Sequence, residues 1–462
     1  MKRFWTTTLF ISLCALPWGA PSAQAWRQYA TPEDAGFSPA SLDRTRLVGD
    51  SLRSGGAFIV YRGHVLAAWG DVGRKLELHS VRKSLTSALV GIAVAERRID
   101  LAETLAALAI DDTARLTATE KQATVRDLIS ARSGVFLPAA YAPSDQDSTR
   151  PPRGAFAPGT RWFYNNWDFN VVEAVYEQRT GTTVYESFAQ RIATPLGMED
   201  FRPSDGFPVF EPSLSLHAAH TWRMSARDLA RFGLLYLQRG RWNGRQVVAE
   251  NWVDESTASH SDLGNGRGYG YMWWTYARGS YGERYRTLNQ FASYAASGSG
   301  GQAIIVVPEA DLVVVHRGDT DHNRYFPGGA VWGLVDQILA ARTGDPRPNA
   351  RLIPLTPVAY ASQLPPMTRP AILPMSEAEV DALIGEYEIG QPVRARITKF
   401  KGRPFAFLPG QGEAELLKVG DGQYTMFVVP GVTVATERDA AARVTGLTMR
   451  IGNQVIRASR IR

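Results

Sequence analysis

The segment from His79 to Ala95 constrains the fold more than any other stretch, because it predicts a long helix with a buried face. Its apolar residues recur three and four positions apart, which is the spacing of one face of a helix. These residues are Leu85, Ala88, Leu89, Ile92 and Ala93. Ser80, near the start of the segment, is a residue type that often caps a helix N-terminus, so we expect it to be the N-cap.

Ser80 is also a candidate nucleophile. A helix start favours developing negative charge, and its first N–H groups are free to bind an oxyanion. Lys83 follows three residues later, so both side chains share one helix face. If that face is buried, desolvation lowers the pKa of Lys83, and a neutral amine could accept the serine proton. The alternative is that Ser80 is only a helix cap, and this pair alone does not decide between them.

Length and composition are those of a globular chain with more than one domain. The chain has 462 residues, of which 44% are hydrophobic and 21% charged. The net charge of +6 is spread along the sequence, without a basic run that contains interleaved aromatic residues. Nucleic acid is therefore not an expected partner.

Residues 1–25 predict a secretory signal peptide, and so a periplasmic or secreted protein. Lys2 and Arg3 precede the apolar run 9–16, and Ala23-Gln24-Ala25 matches an A-x-A cleavage site. The run is too short to span a bilayer, so we expect no stable membrane insertion after cleavage. The single cysteine, Cys14, lies inside this segment, so the mature chain would contain no disulfide and no cysteine ligand or nucleophile.

Two β-hairpins and several helices are expected downstream. The first hairpin joins strands 57–61 and 65–69, and the second joins strands 302–307 and 312–316. Helices are predicted at 124–130, from Phe169 to Arg179, after a Ser225–Asp228 capping box, and from Val331 to Arg342. Residues 136–160 have no periodicity and are expected to form a long functional or mobile loop.

The C-terminal part of the chain differs in character from the rest. Prolines recur without periodicity over residues 354–375, which predicts a linker. Residues 376–462 contain short β-type runs separated by turn signals such as Gly420-Asp421-Gly422 and Pro430-Gly431. This pattern predicts a small antiparallel barrel or sandwich. The expected division is therefore a signal at 1–25, a main domain at 26–353, a linker, and a β domain at 376–462.

Two further motifs complete a candidate site. Tyr164 and Asn166 form a Tyr-x-Asn motif after Pro158-Gly159 and just before a predicted helix. The small-residue run Ser297-Gly298-Ser299-Gly300-Gly301 precedes the second hairpin. Glycines there permit close approach of the backbone to a ligand, although a capped turn and a flexible loop would explain the two motifs equally well.

Taken together, these motifs resemble the serine β-lactamase and penicillin-binding-protein superfamily over about residues 35–345. The likeness is greatest to its class C-like branch, which includes esterases, D-aminopeptidases and 6-aminohexanoate-dimer hydrolases. Ser80 and Lys83 match Ser-x-x-Lys, and Tyr164 and Asn166 match Tyr-x-Asn. The resemblance implies an α+β fold of the β-lactamase/transpeptidase type, with an antiparallel sheet flanked by helices and an all-helical region. The C-terminal domain resembles the lipocalin-like β domain of some members.

The sequence departs from this family at the third motif, which is Lys-Thr-Gly or His-x-Gly. No lysine occurs between Lys121 and Lys399, so Lys-Thr-Gly cannot be present. Ser299, Gly300 and Gly301 occupy the expected position, with serine in place of the cation, and we expect them to line the substrate site with Asn166. Without the cation, a substrate carboxylate lacks a charge-assisted partner, which argues against efficient binding of penicillins.

The resemblance implies acyl transfer from an ester or amide to Ser80. Lys83 and Tyr164 would share the role of general base, and Asn166 would orient Lys83 and the substrate. The N–H of Ser80 and one near Gly301 or Gln302 would bind the oxyanion. No cofactor or metal is expected. Two alternatives stay open: β-lactamase or D-amino-acid peptidase activity, and a non-catalytic or slowly acylating binding or sensor protein on the same fold. A metal-dependent hydrolase using Asp319, Asp321 and His322 is a weaker alternative, because these residues lack a metal-binding helical spacing.

Overall fold

The computed structural model describes residues 25–143, 146–390, 393–408, 412–426 and 431–461. The predicted signal peptide, apart from Ala25, and the residue Pro430 of one predicted turn lie outside the described residues. None of the helices in these ranges combines the length and apolar character needed to cross a bilayer.

A ten-stranded sheet forms the centre of the main domain, in the order β15-β1-β3-β2-β14-β13-β12-β11-β10-β9. Neighbouring strands are antiparallel, except for β1 and β3. The strands of this sheet are β1 Arg27–Tyr29, β2 Ser54–Tyr61, β3 His64–Gly70, β9 Ser261–Gly264, β10 Arg267–Tyr269, β11 Trp274–Tyr276, β12 Ser293–Gly298, β13 Gln302–Val307, β14 Leu312–Gly318 and β15 Leu352–Pro354. Both predicted hairpins are present as β2–β3 and β13–β14, and β14 pairs with β2 at the centre.

Among the described residues, two smaller sheets and ten α-helices surround this sheet, and an eleventh α-helix packs against the C-terminal β domain. The first small sheet contains β4 Leu76–Glu77, β5 Gly206–Glu211 and β6 Ser215–Met224, and the second contains β7 Arg241–Trp242 and β8 Arg245–Gln246. The helices are α1 Pro39–Ser51, α2 Arg82–Ala95, α3 Val125–Ile129, α4 Gln146–Thr149, α5 Asn166–Thr180, α6 Val184–Phe188, α7 Thr194–Leu196, α8 Ala226–Leu237, α9 Glu250–Thr257, α10 Gly328–Ala340 and α11 Glu377–Leu383.

The central strands are buried on both faces, which explains their uninterrupted hydrophobic sequences. Successive side chains of a strand point to opposite faces. Ile304 and Val306 therefore pack into the core under α2, α5 and α8, whereas Ile305 and Val307 pack into a second core with α1 and α10. Since helices cover both faces, no position in these strands has to be polar.

The C-terminal region forms a closed eight-stranded antiparallel barrel in which neighbours in sequence are neighbours in space. Its strands are β16 Gly385–Gly390, β17 Val393–Phe400, β18 Arg403–Leu408, β19 Gly412–Gly420, β20 Gln423–Met426, β21 Val432–Arg438, β22 Val444–Ile451 and β23 Gln454–Arg460. Buried side chains such as Tyr387, Leu416 and Tyr424 pack together as its core. The predicted fold class, an α+β domain with a small C-terminal antiparallel β domain, is confirmed.

Some local predictions were wrong in detail. The helix expected from Phe169 starts three residues earlier, at Asn166, and the last helix of the main domain runs from Gly328 to Ala340. Ser225 does cap α8, but the Asp228 carboxylate does not return to the helix start. It accepts instead from the N–H groups of residues 199–201, which supply three donors to a buried charge.

Candidate active site

Ser80 lies in a 3-10 turn, His79–Val81, that runs directly into α2. It therefore lies inside the first turn. The prediction that Ser80 is the N-cap of this helix was wrong. Lys83 is one turn further on, and its Nζ donates to Ser80 Oγ at 2.8 Å. The residue before the serine, His79, has a left-handed backbone (φ 48°), an uncommon and strained conformation for a residue that is not glycine.

Burial determines the protonation of Lys83. The side chain is enclosed among α2, α5 and the aromatic residues around the site, with Nζ 4.9 Å from the ring centre of Tyr164 and 5.0 Å from that of Phe169. Desolvation lowers the pKa of Lys83 well below its ordinary value. The neighbouring charge of Arg82 lowers it further, while Glu173 acts in the opposite direction. Burial therefore favours the neutral amine that the sequence analysis required.

Tyr164 contacts the same serine. Burial raises the pKa of Tyr164 to about 12, against the lowering effects of a hydrogen bond with the Ser80 hydroxyl and of the Arg82 charge. The ring stacks on Trp274 at a centroid distance of 5.5 Å and meets Tyr269 edge-on. The phenol is thus protonated at neutral pH, so Lys83 is the better resting base of the two.

Asn166 is the first residue of α5 and is buried beside Tyr164. Its Nδ2 donates to the Tyr141 carbonyl oxygen at 3.3 Å. Its Oδ1 is buried and has no hydrogen-bond partner within the described part of the chain. A buried acceptor without a donor is costly, so this oxygen is suited to receive an N–H group from a bound molecule.

The glycine-rich run divides into two parts. Gly298 ends β12 against the nucleophile: a Cβ there would lie 2.5 Å from the Leu78 carbonyl oxygen and 3.0 Å from Ser80 N. Ser299, Gly300 and Gly301 form the turn that follows, and both glycines have positive φ. Gly300 and Gly301 pack against Thr320, Tyr325 and Phe326. Gly298, which the sequence analysis did not select, is therefore the glycine nearest to Ser80.

Comparison with known proteins identifies the family. A family model described as Beta-lactamase matches residues 45–323, which is more than half of the chain. The chain belongs to the beta-lactamase family. The superfamily suggested by the motifs is confirmed, and with it a serine hydrolase of this superfamily in the broad sense.

Solved structures of the same type were also found. The chain is similar to an octameric penicillin-binding protein homologue from Pyrococcus abyssi, with 14% identity, 91% of this chain and 98% of that chain covered, and a TM-score of 0.49. It is also similar to a beta-lactamase from Mycobacterium bovis, with 22% identity, 66% and 100% coverage, and a TM-score of 0.46. None of the curated proteins that were compared matches the chain.

Within this beta-lactamase-family domain, a buried ionic network supports the helix of the nucleophile. Arg82 Nη1 donates to Glu173 Oε1 at 2.5 Å, and His220 Nδ1 lies 3.1 Å from Glu173 Oε2. The cation beside it lowers the pKa of Glu173 to about 2 despite burial, whereas its carboxylate neighbours raise that of His220 to about 9. The sequence analysis missed these residues, because their spacing along the chain carries no signal of contact.

His79 is a second residue that the motif search missed. Its Nε2 lies 3.2 Å from Thr320 Oγ1, and its Nδ1 lies 3.5 Å from the Tyr141 hydroxyl. Burial and the nearby charge of Arg317 lower the pKa of His79 to about 4, so the imidazole is neutral at physiological pH. It connects the nucleophile turn to the loops that carry Tyr141 and Thr320.

The residues proposed for a metal site are occupied by other partners. Asp319 accepts from Arg74 and pairs with His322, and Asp321 is bound by two arginines. In the described ranges, no group of three or more His, Cys, Asp or Glu side chains is arranged to hold a metal ion. The polar-loop interpretation of this cluster is therefore the better one.

Proposed function

We propose that this protein is a serine hydrolase that cleaves an ester or amide bond in a small molecule through a covalent acyl-enzyme on Ser80. The observation that carries the proposal is the 2.8 Å hydrogen bond from Lys83 Nζ to Ser80 Oγ, with the lysine buried and its pKa lowered. A serine is a weak nucleophile until a neighbouring base takes its proton, and Lys83 is placed to do so.

The reaction follows from these positions. Neutral Lys83 accepts the Ser80 proton as Oγ bonds to the substrate carbonyl carbon, and the carbonyl oxygen becomes an oxyanion. The ammonium, with the Tyr164 phenol beside it, then returns a proton to the departing alcohol or amine as the ester or amide bond breaks. Water attacks the resulting acyl ester by the same route and releases the acid, which restores Ser80.

Backbone N–H groups would stabilise the oxyanion. The first is that of Ser80 itself, and we assign the second to the Gly298–Ser299 stretch, which lies against Ser80 N. The earlier expectation of Gly301 or Gln302 is less suitable. Gln302 pairs with Gly298 in the β12–β13 ladder, and Gly301 packs against Phe326. Asn166 Oδ1 would accept from a substrate amide N–H.

Labelling of the nucleophile tests the proposal. We expect a fluorophosphonate probe to add once to the wild-type protein, as read from the intact mass, and to leave Ser80→Ala unmodified. Ser84→Ala is the matched control, because Ser84 lies on the same helix but donates to the Met272 carbonyl oxygen, away from Lys83. It should still be labelled. A folded wild-type protein without an adduct would favour a binding or sensor protein on this fold.

We also propose export to the periplasm or beyond the cell, with cleavage after Ala25. Support comes from the charged start, the short apolar run and the A-x-A site in residues 1–25. Expression with the native leader should place the protein outside the cytoplasm with Trp26 as its first residue. Full-length protein retained in the cytoplasm would contradict this.

A further inference from the structure

The proline-rich segment after the main domain is bound along the domain surface near the candidate site. We call residues 358–369 the strap. Its backbone begins at Val358, whose N–H donates to the Ala68 carbonyl oxygen at 2.9 Å. The N–H groups of Ala361 and Ser362 both donate to the Asp50 carboxylate at 2.9 Å. The strap is therefore held by the main domain and is more than a spacer.

The end of the strap brings a cation to this surface. Arg369 Nη2 donates to Asp321 Oδ1 at 2.9 Å, and Asp321 also accepts from Arg223 at 2.9 and 2.5 Å. One carboxylate is thus shared by two guanidinium groups. The Arg369 side chain is 47% exposed and that of Asp321 only 7% exposed, so the positive side of the cluster faces solvent.

This cluster is connected to the residue that precedes the nucleophile. Asp321 follows Thr320, which contacts His79, and His79 immediately precedes Ser80. Burial raises the pKa of Tyr141, whose hydroxyl lies 3.5 Å from the other nitrogen of His79, and the charge of Arg369 opposes part of that rise. Burial likewise raises the pKa of Glu77, and the charges of Arg223 and Arg369 oppose that rise. Arg369 is therefore linked to His79, the residue beside Ser80, through Asp321 and the adjacent Thr320.

We propose that Arg369 binds an anionic group, a carboxylate, at the far end of a substrate whose reacting carbonyl lies at Ser80. The inference rests on the proposed hydrolase function and specifies its substrate class. Arginine presents a planar fork of donors that matches a carboxylate, and Asp321 occupies only part of it. The strap thereby supplies the cation that the third motif lacks, from a segment outside the motif altogether.

A matched pair of esters tests this assignment. Mono-p-nitrophenyl adipate ends in a carboxylate, whereas p-nitrophenyl hexanoate has a methyl group at the same distance from the ester. We expect Arg369→Gln to raise KM for the adipate about tenfold, because one charge-assisted contact is lost. The same substitution should change KM for the hexanoate less than about twofold. Arg369→Lys should retain part of the preference. Salt should weaken the wild-type preference, because the site is half exposed.

Arg347→Gln is the control. Arg347, which follows helix α10, is also an exposed arginine that pairs with one aspartate. Its side chain is 62% exposed, and its partner is Asp34. The Arg347→Gln substitution should leave KM for both esters unchanged. Equal KM values for the two esters in the wild type, or equal effects of Arg369→Gln on both, would overturn the inference while leaving the hydrolase intact. Absence of turnover and of the fluorophosphonate adduct would instead overturn the proposed function.

Discussion

Lys83 carries an amine that is ordinarily a cation, yet the side chain is buried. Its amine lies 4.9 and 5.0 Å from the ring centres of Tyr164 and Phe169 and donates to Ser80 Oγ at 2.8 Å. Such a site favours the neutral amine, because a charge without solvent or a close counter-ion is costly. Tyr164 is subject to the same desolvation, which keeps its proton on the phenol. Burial thus assigns the two groups different roles in the resting site.

A pH profile follows from this arrangement. The rate of Ser80 acylation should rise with pH through the lowered pKa of Lys83 and then level off, because only the neutral amine accepts the proton. Lys83→Met, which keeps the apolar stem, should reduce kcat/KM by roughly 10²–10⁴ and remove this rise. The measurement is kcat/KM for a p-nitrophenyl ester across the range of protein stability. An unchanged profile in Lys83→Met would exclude the lysine as the base.

At the scale of elements, Glu173 joins three parts of the fold. It lies on α5, binds Arg82 of α2 and accepts from both the backbone N–H and Nδ1 of His220 on β6. Because each group is buried, each depends on the others for neutralisation. The network therefore fixes α2, and with it Ser80 and Lys83, relative to the helix that begins at Asn166.

The stability of this network should depend on pH. His220 has a folded-state pKa of about 9, above its ordinary value, so its stabilising effect is full below about pH 6.5 and is lost as pH rises through about 9. His220→Gln should lower the free energy of unfolding by roughly 3 kcal/mol near pH 6, with a smaller deficit near pH 10. Urea unfolding at several pH values would measure this.

His217→Gln offers an internal comparison on the same strand. Burial lowers the pKa of His217, so the dependence should have the opposite sign, with wild-type stability reduced at low pH. A deficit in His220→Gln that stays constant across pH would show that the pKa of His220 is the same in the folded and unfolded protein.

The elements near the site also show what the sequence could and could not predict. Ser80 and Lys83 were found because their spacing places both on one helix face, and Tyr164 because it belongs to a Tyr-x-Asn motif just before a predicted helix. Gly298 was not found, because a run of small residues has no periodicity that would show which residue ends β12. The Arg82–Glu173 and His79–Thr320 contacts join residues 91 and 241 positions apart, and nothing in either residue's local sequence specifies its partner.

For the whole molecule, the barrel contacts the main domain through the β5–β6 hairpin. Arg403 of the barrel lies over Phe207 and Phe210 of β5, at 5.2 and 5.3 Å from the ring centres, and pairs with Glu415. Phe400 packs against Phe210. The sequence predicted the barrel from its short strands and turns. It could not predict this docking, which depends on side chains from distant parts of the chain.

Loss of the Arg403 contact should loosen the barrel without unfolding it. Two cation–π contacts contribute about 0.5–1 kcal/mol each, so Arg403→Ala should increase amide hydrogen exchange in β5 and the rate of proteolysis within the strap by roughly tenfold. Arg457→Ala, an exposed arginine on β23, is the control and should change neither. Equal exchange in β5 for both variants would show that Arg403 does not hold the barrel.

The pairing of β2 with β14 has a consequence for biogenesis. This central pairing joins opposite ends of the main domain, and one side-chain hydrogen bond beside it, between Ser54 and His316, spans 262 positions. A ribosome must therefore complete most of the domain before its middle can form, and pairings of such long range assemble slowly. A chain that stays unfolded during synthesis suits the export proposed above, because a translocation channel accepts unfolded chains.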